Sequence, residues 1–307
     1  MKAFAYTFIL VCLSGVAVLA QQSVQDLEKY LDNIVSNPSA PIPPSVLNDF
    51  TNEKALITHL ISHRKDPREQ FQFRVIDLMR LIGLKSRTRE NRMLVVDHFV
   101  RAIPDPNLRI SGAMSSAVIQ FAKPDFSAVN KDSIVSYLRV GMPNLDLLFR
   151  LAGFLEIPAA KDKISSMLIL PISPMLKWNA RLALARLEDE NAVNFILEKI
   201  STSTVDDAFV SSLVPGLCYT RNRKIFAELE KILQRDEYKC RSSHPDSKTL
   251  ILCSYRVLEH VAGAIEKFPI KVDESGDLLV DNYQSALLTA RQWLKQHPDY
   301  KLDRNTM

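Results

Sequence analysis

Apolar residues recur along most of the chain at the spacing of an α-helix. Val24, Leu27, Leu31 and Ile34, with Val35 alongside, fall three or four residues apart, which lines one helical face. They predict a helix over Ser23–Ser36, with Ser23 as N-cap and Asp26 three residues on. Four prolines between Pro38 and Pro44 then impose a stiff, extended connector. From Thr51 onward, helices of roughly 12 to 20 residues follow one another. Leu56, Leu60 and Ile61 form one stripe, and Phe71, Phe73, Val75, Leu78, Met79 and Ile82 the next. Met93–Ile103, Ile110–Ala122, Ile134–Val140 and Leu145–Leu155 continue the pattern. Pro67, Pro104, Pro106, Pro124, Pro143, Pro158, Pro174 and Pro215 mark the boundaries, because proline fits a first turn and breaks a helix interior. Short connections make successive helices antiparallel neighbours. One segment departs from the helical period: Ile270–Val280 places two short apolar runs around Glu274-Ser275-Gly276-Asp277, which predicts a small β-hairpin. Asp281 is then expected to cap a final helix carrying Tyr283, Leu287, Leu288, Trp293 and Leu294.

The most regular stretch is Trp178–Ile200. Within it, Ala183-Leu184-Ala185-Arg186-Leu187-Glu188-Asp189, followed by Ala192-Val193 and Phe195-Ile196, resembles the HEAT repeat of the bacterial type. That family reads A-L-G-x-L-G-D ahead of A-V and an apolar helix. Small alanines let paired helices approach closely, and Asp189 is placed to cap the second helix. Ala185 and Glu188 stand where the family has glycines, so a less tightened turn is expected. Self-comparison supports a repeat at an offset of 32 residues: Leu197-Glu198-Lys199-Ile200 recurs as Leu229-Glu230-Lys231-Ile232, and Leu187, Ala185 and Ala192 match Leu155, Gly153 and Ala160. Ile265-Glu266-Lys267-Phe268 resembles a third copy but falls out of phase. The resemblance is strongest over Leu145–Gln234, weaker over Thr51–Gly141 and absent from residues 268–307. Tetratricopeptide repeats share a similar period, but their Trp, Gly-Tyr and Pro positions are not met. The resemblance implies an all-α fold: a right-handed α-α superhelix, a HEAT-like solenoid of about five or six degenerate helix pairs, to which the apolar pattern adds a small C-terminal β-hairpin. The expected organisation is a signal peptide over 1–20, an N-terminal helix and Pro-rich connector over 21–50, HEAT-like helical repeats over 51–268, and a hairpin and capping helix over 269–307.

Composition narrows the chemistry. Only 8 of 307 residues are glycine, under half the ~7% of an average protein. Neither G-x-G-x-x-G nor G-x-x-x-x-G-K-[ST] occurs, so the phosphate-cradling turns of classical dinucleotide and P-loop enzymes are excluded. The 39 basic and 35 acidic residues leave a net charge of +4 and alternate along the chain, unlike the basic stripe of a nucleic-acid binder. At the amino terminus, Lys2 precedes an apolar run from Ala3 to Leu19, and Val18-Leu19-Ala20 suits signal-peptidase cleavage after Ala20. A permanent anchor is the alternative, the run being at the lower limit for a membrane span. Cys12 follows the bulky Val11, unlike a lipoprotein acceptor. No second apolar run of ~20 residues follows, so no membrane span is expected after cleavage, and a periplasmic or secreted location is implied. In an oxidising compartment Cys240 and Cys253, which flank a polar loop, are expected to pair. Cys240, His244, Cys253 and His260 form an alternative zinc set, although their spacing matches no common template.

Catalytic signals are scarce. His59 and His63 lie four residues apart on one helical face, but the residues between them include no general-base Glu. Asp273, Glu274, Asp277 and Asp281 lack the ligand order of a calcium loop. No serine or cysteine has a nucleophile context, and no cofactor or metal is implied. Trp178 and Trp293 read as packing anchors. Basic residues do recur near helix connections: Arg64, Lys65 and Arg68; Lys85, Arg87, Arg89 and Arg92; Arg221, Arg223 and Lys224. In a solenoid such connections align, which predicts a cationic ridge able to meet an acidic protein face or an anionic glycan. The competing reading is that neighbouring acids balance them. The HEAT resemblance implies a protein-binding scaffold rather than an enzyme, with Asn194, Glu198, Glu228 and Lys231 on its concave face. The rival expectations are an extracytoplasmic, hydrolase-like enzyme with its site in the solenoid groove and a structural subunit of an envelope complex.

Overall fold

The computed structural model describes residues 22–37, 39–242, 249–273 and 277–307. The signal-peptide reading with its Ala20 junction, His244 of the zinc set and Glu274 of the acidic cluster lie outside them. The described residues are mostly helical, with one two-stranded antiparallel sheet. The chain divides into two compact units, Met1–Ile134 and Val135–Met307.

The first unit contains α1 (residues 22–36), α2 (Pro44–Leu47), α3 (Glu53–Ser62), α4 (Glu69–Lys85), α5 (Arg89–Ala102), α6 (Leu108–Val118) and the start of α7 (Ala128–Tyr137). Helix α3 packs on α4 and α5, and α6 on α4 and α5. The apolar stripes become the core: Leu56, Leu60, Met79, Val95, Phe99 and Met114 are fully buried. Two predicted starts are corrected. Ser23 lies inside α1, not at its cap, and hydrogen bonds Asp49. Helix α7 begins well before Ile134, because Asn130 Oδ1 accepts from Ser127 N at 3.0 Å while Ser127 Oγ accepts from Asn130 N at 3.2 Å, a reciprocal capping box. Between α3 and α5 sits a buried polar knot, in which Glu53 accepts from Asn91 Nδ2 at 2.8 Å and from the Ser86 hydroxyl.

The second unit contains α8 (Leu145–Phe154), α9 (Ala160–Met167), α10 (Pro174–Arg186), α11 (Glu190–Ser201), α12 (Asp207–Ser212), α13 (Val214–Tyr219), α14 (Arg223–Leu233), β1 (Lys239–Arg241), β2 (Leu250–Leu252), α15 (Cys253–Ala262) and α16 (Tyr283–Gln296). Contacts run in two rows: α8, α10, α13 and α15 touch in succession, as do α11, α14 and α16. Gly153 sets the closest approach, since a Cβ there would lie 3.1 Å from Ala183 Cα and collide with the Tyr219 hydroxyl. Asp189 caps α11 as expected, accepting from Ala192 N at 3.0 Å. The cap of α16 is Asn282, which accepts from Ser285 N at 2.9 Å, and not Asp281.

Cys240 and Cys253 form a disulfide and are fully buried. It joins β1 to the first residue of α15, and Cys240 lies opposite Ile251 in the strand pair. This bond removes both thiolates that the zinc set required. Of the hairpin predicted over Ile270–Val280, the described residues form an antiparallel bridge, Val272 to Leu278, with Asp273 N donating to Asp277 O at 2.9 Å.

Candidate functional site

The site grows from the turns that join helix pairs in the second unit. Glu156, Glu188 and Arg221, each just past the end of α8, α10 or α13, adopt φ values of 51°, 57° and 47°. Side chains rarely take this left-handed region, at a cost of about 1–2 kcal/mol. In the first two turns the following amide closes back over the helix end: Ile157 N donates to Ala152 O at 3.2 Å, and Asp189 N to Leu184 O at 2.9 Å. That is Schellman closure, normally the province of glycine. Glu188 therefore keeps the tight turn despite its side chain, which corrects the expectation of a looser one.

A strap formed by residues 301–307 crosses these turns. Its main chain adds to the segment after α15: Glu266 N donates to Lys301 O, Asp303 N donates to Ala264 O, both at 2.9 Å, and Ile265 faces Leu302 in a β-bridge. Arg304 then reaches two of the left-handed turns, with Nε donating to Glu156 Oε1 and Nη1 to Glu188 Oε1, each at 2.6 Å. Glu188 also accepts from Asn222 Nδ2 at 2.9 Å. The strained turns thus hold two carboxylates where one guanidinium joins them.

Two further guanidiniums hold the strap by its carbonyls. Arg186, at the end of α10, is 0% exposed. Its Nη1 donates to Tyr219 O, and its Nη2 to Arg304 O and Thr306 O, all at 2.8 Å. Arg221, 5% exposed, donates from Nε to Asp303 O at 2.7 Å, from Nη2 to Thr306 Oγ1 at 2.9 Å, and to Cys218 O. Burial lowers both arginines, Arg186 to about 10, so Arg186 stays protonated at neutral pH. Its guanidinium also faces the Tyr219 ring at 4.9 Å, a cation–π contact. The Tyr219 hydroxyl donates to Arg150 O at 2.6 Å, and burial raises its pKa. Burial pushes the free Cys218 thiol up to about 12, leaving it unreactive.

Two cavities border this assembly, and Arg221 and the strap line both. One, of about 520 Å³, is lined by Asn222, Arg223, Lys224, Lys301 and Asn305 among others. The second, of about 430 Å³, is bounded by Arg150, Tyr219, His260, Thr306 and Met307 among others. Arg221, Arg223 and Lys224 are therefore brought together, but each already holds a partner within the chain. Arg223 pairs with Glu230 at 2.7 Å and lies 3.8 Å over the Tyr300 ring, and Lys224 pairs with Glu190 at 2.7 Å.

The remaining ridge residues belong to the first unit, where the arginines meet partners within that unit and Lys65 and Lys85 are exposed. Arg87 lies 4.4 Å over Phe50. Arg89 donates to Pro124 O at 2.6 Å and 2.8 Å, and Arg92 to Asp125 and Ser86 O, both at 2.9 Å. Arg64 and Arg68 pair with Asp105 and Asp66. Asn194, Glu198 and Lys231 are exposed and Glu228 is half-buried, the last two forming an ion pair at 2.7 Å. Trp293 packs among Phe268, Tyr300 and a stacked His297. His59 and His63 bring their Nε2 atoms within 3.2 Å, but the described residues contain no group of three or more metal-ligating side chains. Among them, no helix is long and apolar enough to cross a membrane.

Sequence reasoning missed Arg186, Arg304, Glu156 and Glu188. Arg186 did carry a signal: it is a charge among Ala183, Leu184, Ala185 and Leu187, on a face otherwise reserved for packing. Chemically, the site presents guanidinium donors to main-chain carbonyls and a carboxylate pair to an arginine, which are the elements needed to hold an extended polypeptide. No protein-family model, curated protein or solved structure matches the chain.

Proposed function

We propose that this chain is a non-catalytic extracytoplasmic scaffold, a protein-binding module built from degenerate HEAT-like helix pairs stacked as a right-handed α-α superhelix. The observation that carries this reading is the recurrence of one left-handed turn at Glu156, Glu188 and Arg221, separated by 32 (188 − 156) and 33 (221 − 188) residues. Repeated helix pairs with aligned turns create an extended edge suited to distributed contacts with a partner chain. The two rows of successive contacts in the second unit support the same architecture. A buried disulfide supports an oxidising compartment, and the signal-like amino terminus would be removed after Ala20, giving a periplasmic or secreted protein. A protein partner fits better than an anionic glycan, because Arg221, Arg223 and Lys224 already hold carboxylates or carbonyls within the chain.

The test is capture of partners by the intact purified chain from the extracytoplasmic fraction of its source, alongside metal analysis and a broad hydrolase screen. A partner retained in fixed stoichiometry without turnover is the expected result. Reproducible turnover, or a stoichiometric bound metal needed for it, would replace the scaffold with an enzyme.

A further inference from the structure

Residues 301–307 lie in their cradle as a peptide ligand would. Main-chain addition at Ile265, an acidic pair receiving an arginine, and buried arginines reading carbonyls are features of peptide recognition by strand addition and charge. Three observations separate the strap from an ordinary core element. Its contact with the segment after α15 is one β-bridge and not a ladder. Leu302, Asp303 and Arg304 are only half-buried, and the side chains of Glu156 and Glu188 that hold Arg304 are 39% and 58% exposed, a setting in which ion pairs are weak. Arg186 Nε is buried with no hydrogen-bond partner among the described residues, so the strap leaves part of the cradle's donor capacity unused. The cavities of about 520 Å³ and about 430 Å³ that it lines leave room for a longer segment.

Arg186 and Arg221 cannot remain buried and charged without acceptors. Once the strap leaves, water or another polypeptide has to meet their donors, and a polypeptide supplying carbonyls at the same places restores the bonds the strap made. Resting on the scaffold reading, we propose that the cradle of Glu156, Glu188, Arg186, Arg221 and the Ala264–Glu266 edge is a peptide-binding site. Its ligand is an extended partner segment with an aliphatic residue, an arginine and a Thr or Ser at alternate positions, and the chain's own Leu302, Arg304 and Thr306 occupy it in the absence of that partner. The alternation follows from the contacts: Leu302 faces Ile265, Arg304 reaches the two carboxylates, and Thr306 meets Arg221.

A labelled synthetic peptide with the sequence of Tyr300–Met307 is titrated into the intact chain, into the full-length Arg304→Ala variant, and into Arg304→Ala carrying Glu156→Gln and Glu188→Gln. Loosening the strap should tighten peptide binding at least tenfold over the unmodified chain, and neutralising the two carboxylates should remove that gain. A peptide whose arginine is replaced by alanine should bind at least tenfold more weakly. Equal binding to the unmodified chain and to Arg304→Ala, or indifference to the peptide's arginine, overturns the proposal. The unmodified chain gives an arm independent of how the variants fold: excess peptide should speed deuterium exchange at the Asp303 amide while Glu266 stays protected, and unchanged exchange at Asp303 in millimolar peptide counts against the site. If the peptide fails while the chain still captures a stoichiometric partner, the cradle falls and the scaffold stands; turnover in the hydrolase screen removes the scaffold whatever the peptide does.

Discussion

Arginines at helix connections do different work in the two units. In the first, Arg89 and Arg92 reach Pro124 and Asp125, so each fastens one connection to the next. In the second, Arg186 and Arg221 grip a strap 118 and 82 residues further along the chain. The difference lies in burial. Asp125 gives half-exposed Arg92 a charged partner of its own, whereas the two buried guanidiniums in the second unit find most of their acceptors in main-chain carbonyls. A carbonyl can be supplied by any extended segment, so the same residue type acts as a local fastener in one unit and as the holder of a distant extended segment in the other.

The largest expected effect tests that contrast directly. Arg186→Ala removes three hydrogen bonds and leaves a cavity, and should cost about 3–4 kcal/mol of stability; Arg92→Ala should cost about 1–2 kcal/mol. Urea unfolding of the two variants measures the gap, and equal losses would erase the distinction between the units. Reduction of Cys240–Cys253 comes next, at about 3 kcal/mol for a loop of this length in the chain-entropy model. Since the described part of the first unit holds no cysteine, the loss should appear in exchange rates of β1 and α15 and leave α3 to α6 unchanged.

The third effect belongs to the first unit. Burial, assisted by the nearby Arg64 charge, lowers His98 to about 4 from its ordinary 6.5. The native state keeps this ring neutral while the unfolded chain protonates it, so its contribution is fully present above about pH 6.5 and is lost as pH falls toward 4. The loss should be on the order of 2–3 kcal/mol, and His98→Phe should flatten that part of the pH–stability curve. An unchanged slope in the variant would place the acid sensitivity elsewhere. The smallest effect is Arg304→Ala, which breaks two half-exposed ion pairs and a part-buried 2.6 Å hydrogen bond to Arg186 O, and should cost about 1.5–2 kcal/mol while visibly loosening residues 301–307. A loss as large as that of Arg186→Ala would make the strap an integral part of the core.

Much of the helical organisation was legible because its causes are local. The 3.6-residue apolar period marked the stripes of α3 to α6, the Asp189 cap follows from an acceptor placed before an apolar run, and the disulfide from two cysteines flanking a short polar segment. Near misses were equally local: Asn282 and Asp281 are both competent caps one residue apart, and Ser127–Asn130 set the start of α7 where the apolar pattern pointed only to Ile134. The candidate site was illegible for the opposite reason. Arg304 meets Glu156 across 148 residues, and no periodicity encodes such a contact. Arg221 was singled out as one cation of a solvent-facing ridge, yet its 5% exposure makes it an internal donor.

Native-state hydrogen exchange of the intact chain tests most directly whether the strap is a held but separable segment. The account predicts that the amides of Asp303 and Glu266 are protected, with an opening free energy clearly below that of α10 and α11 in the same unit. Exchange of Asp303 as fast as in the free peptide, or as slow as in the α10 core, would contradict it.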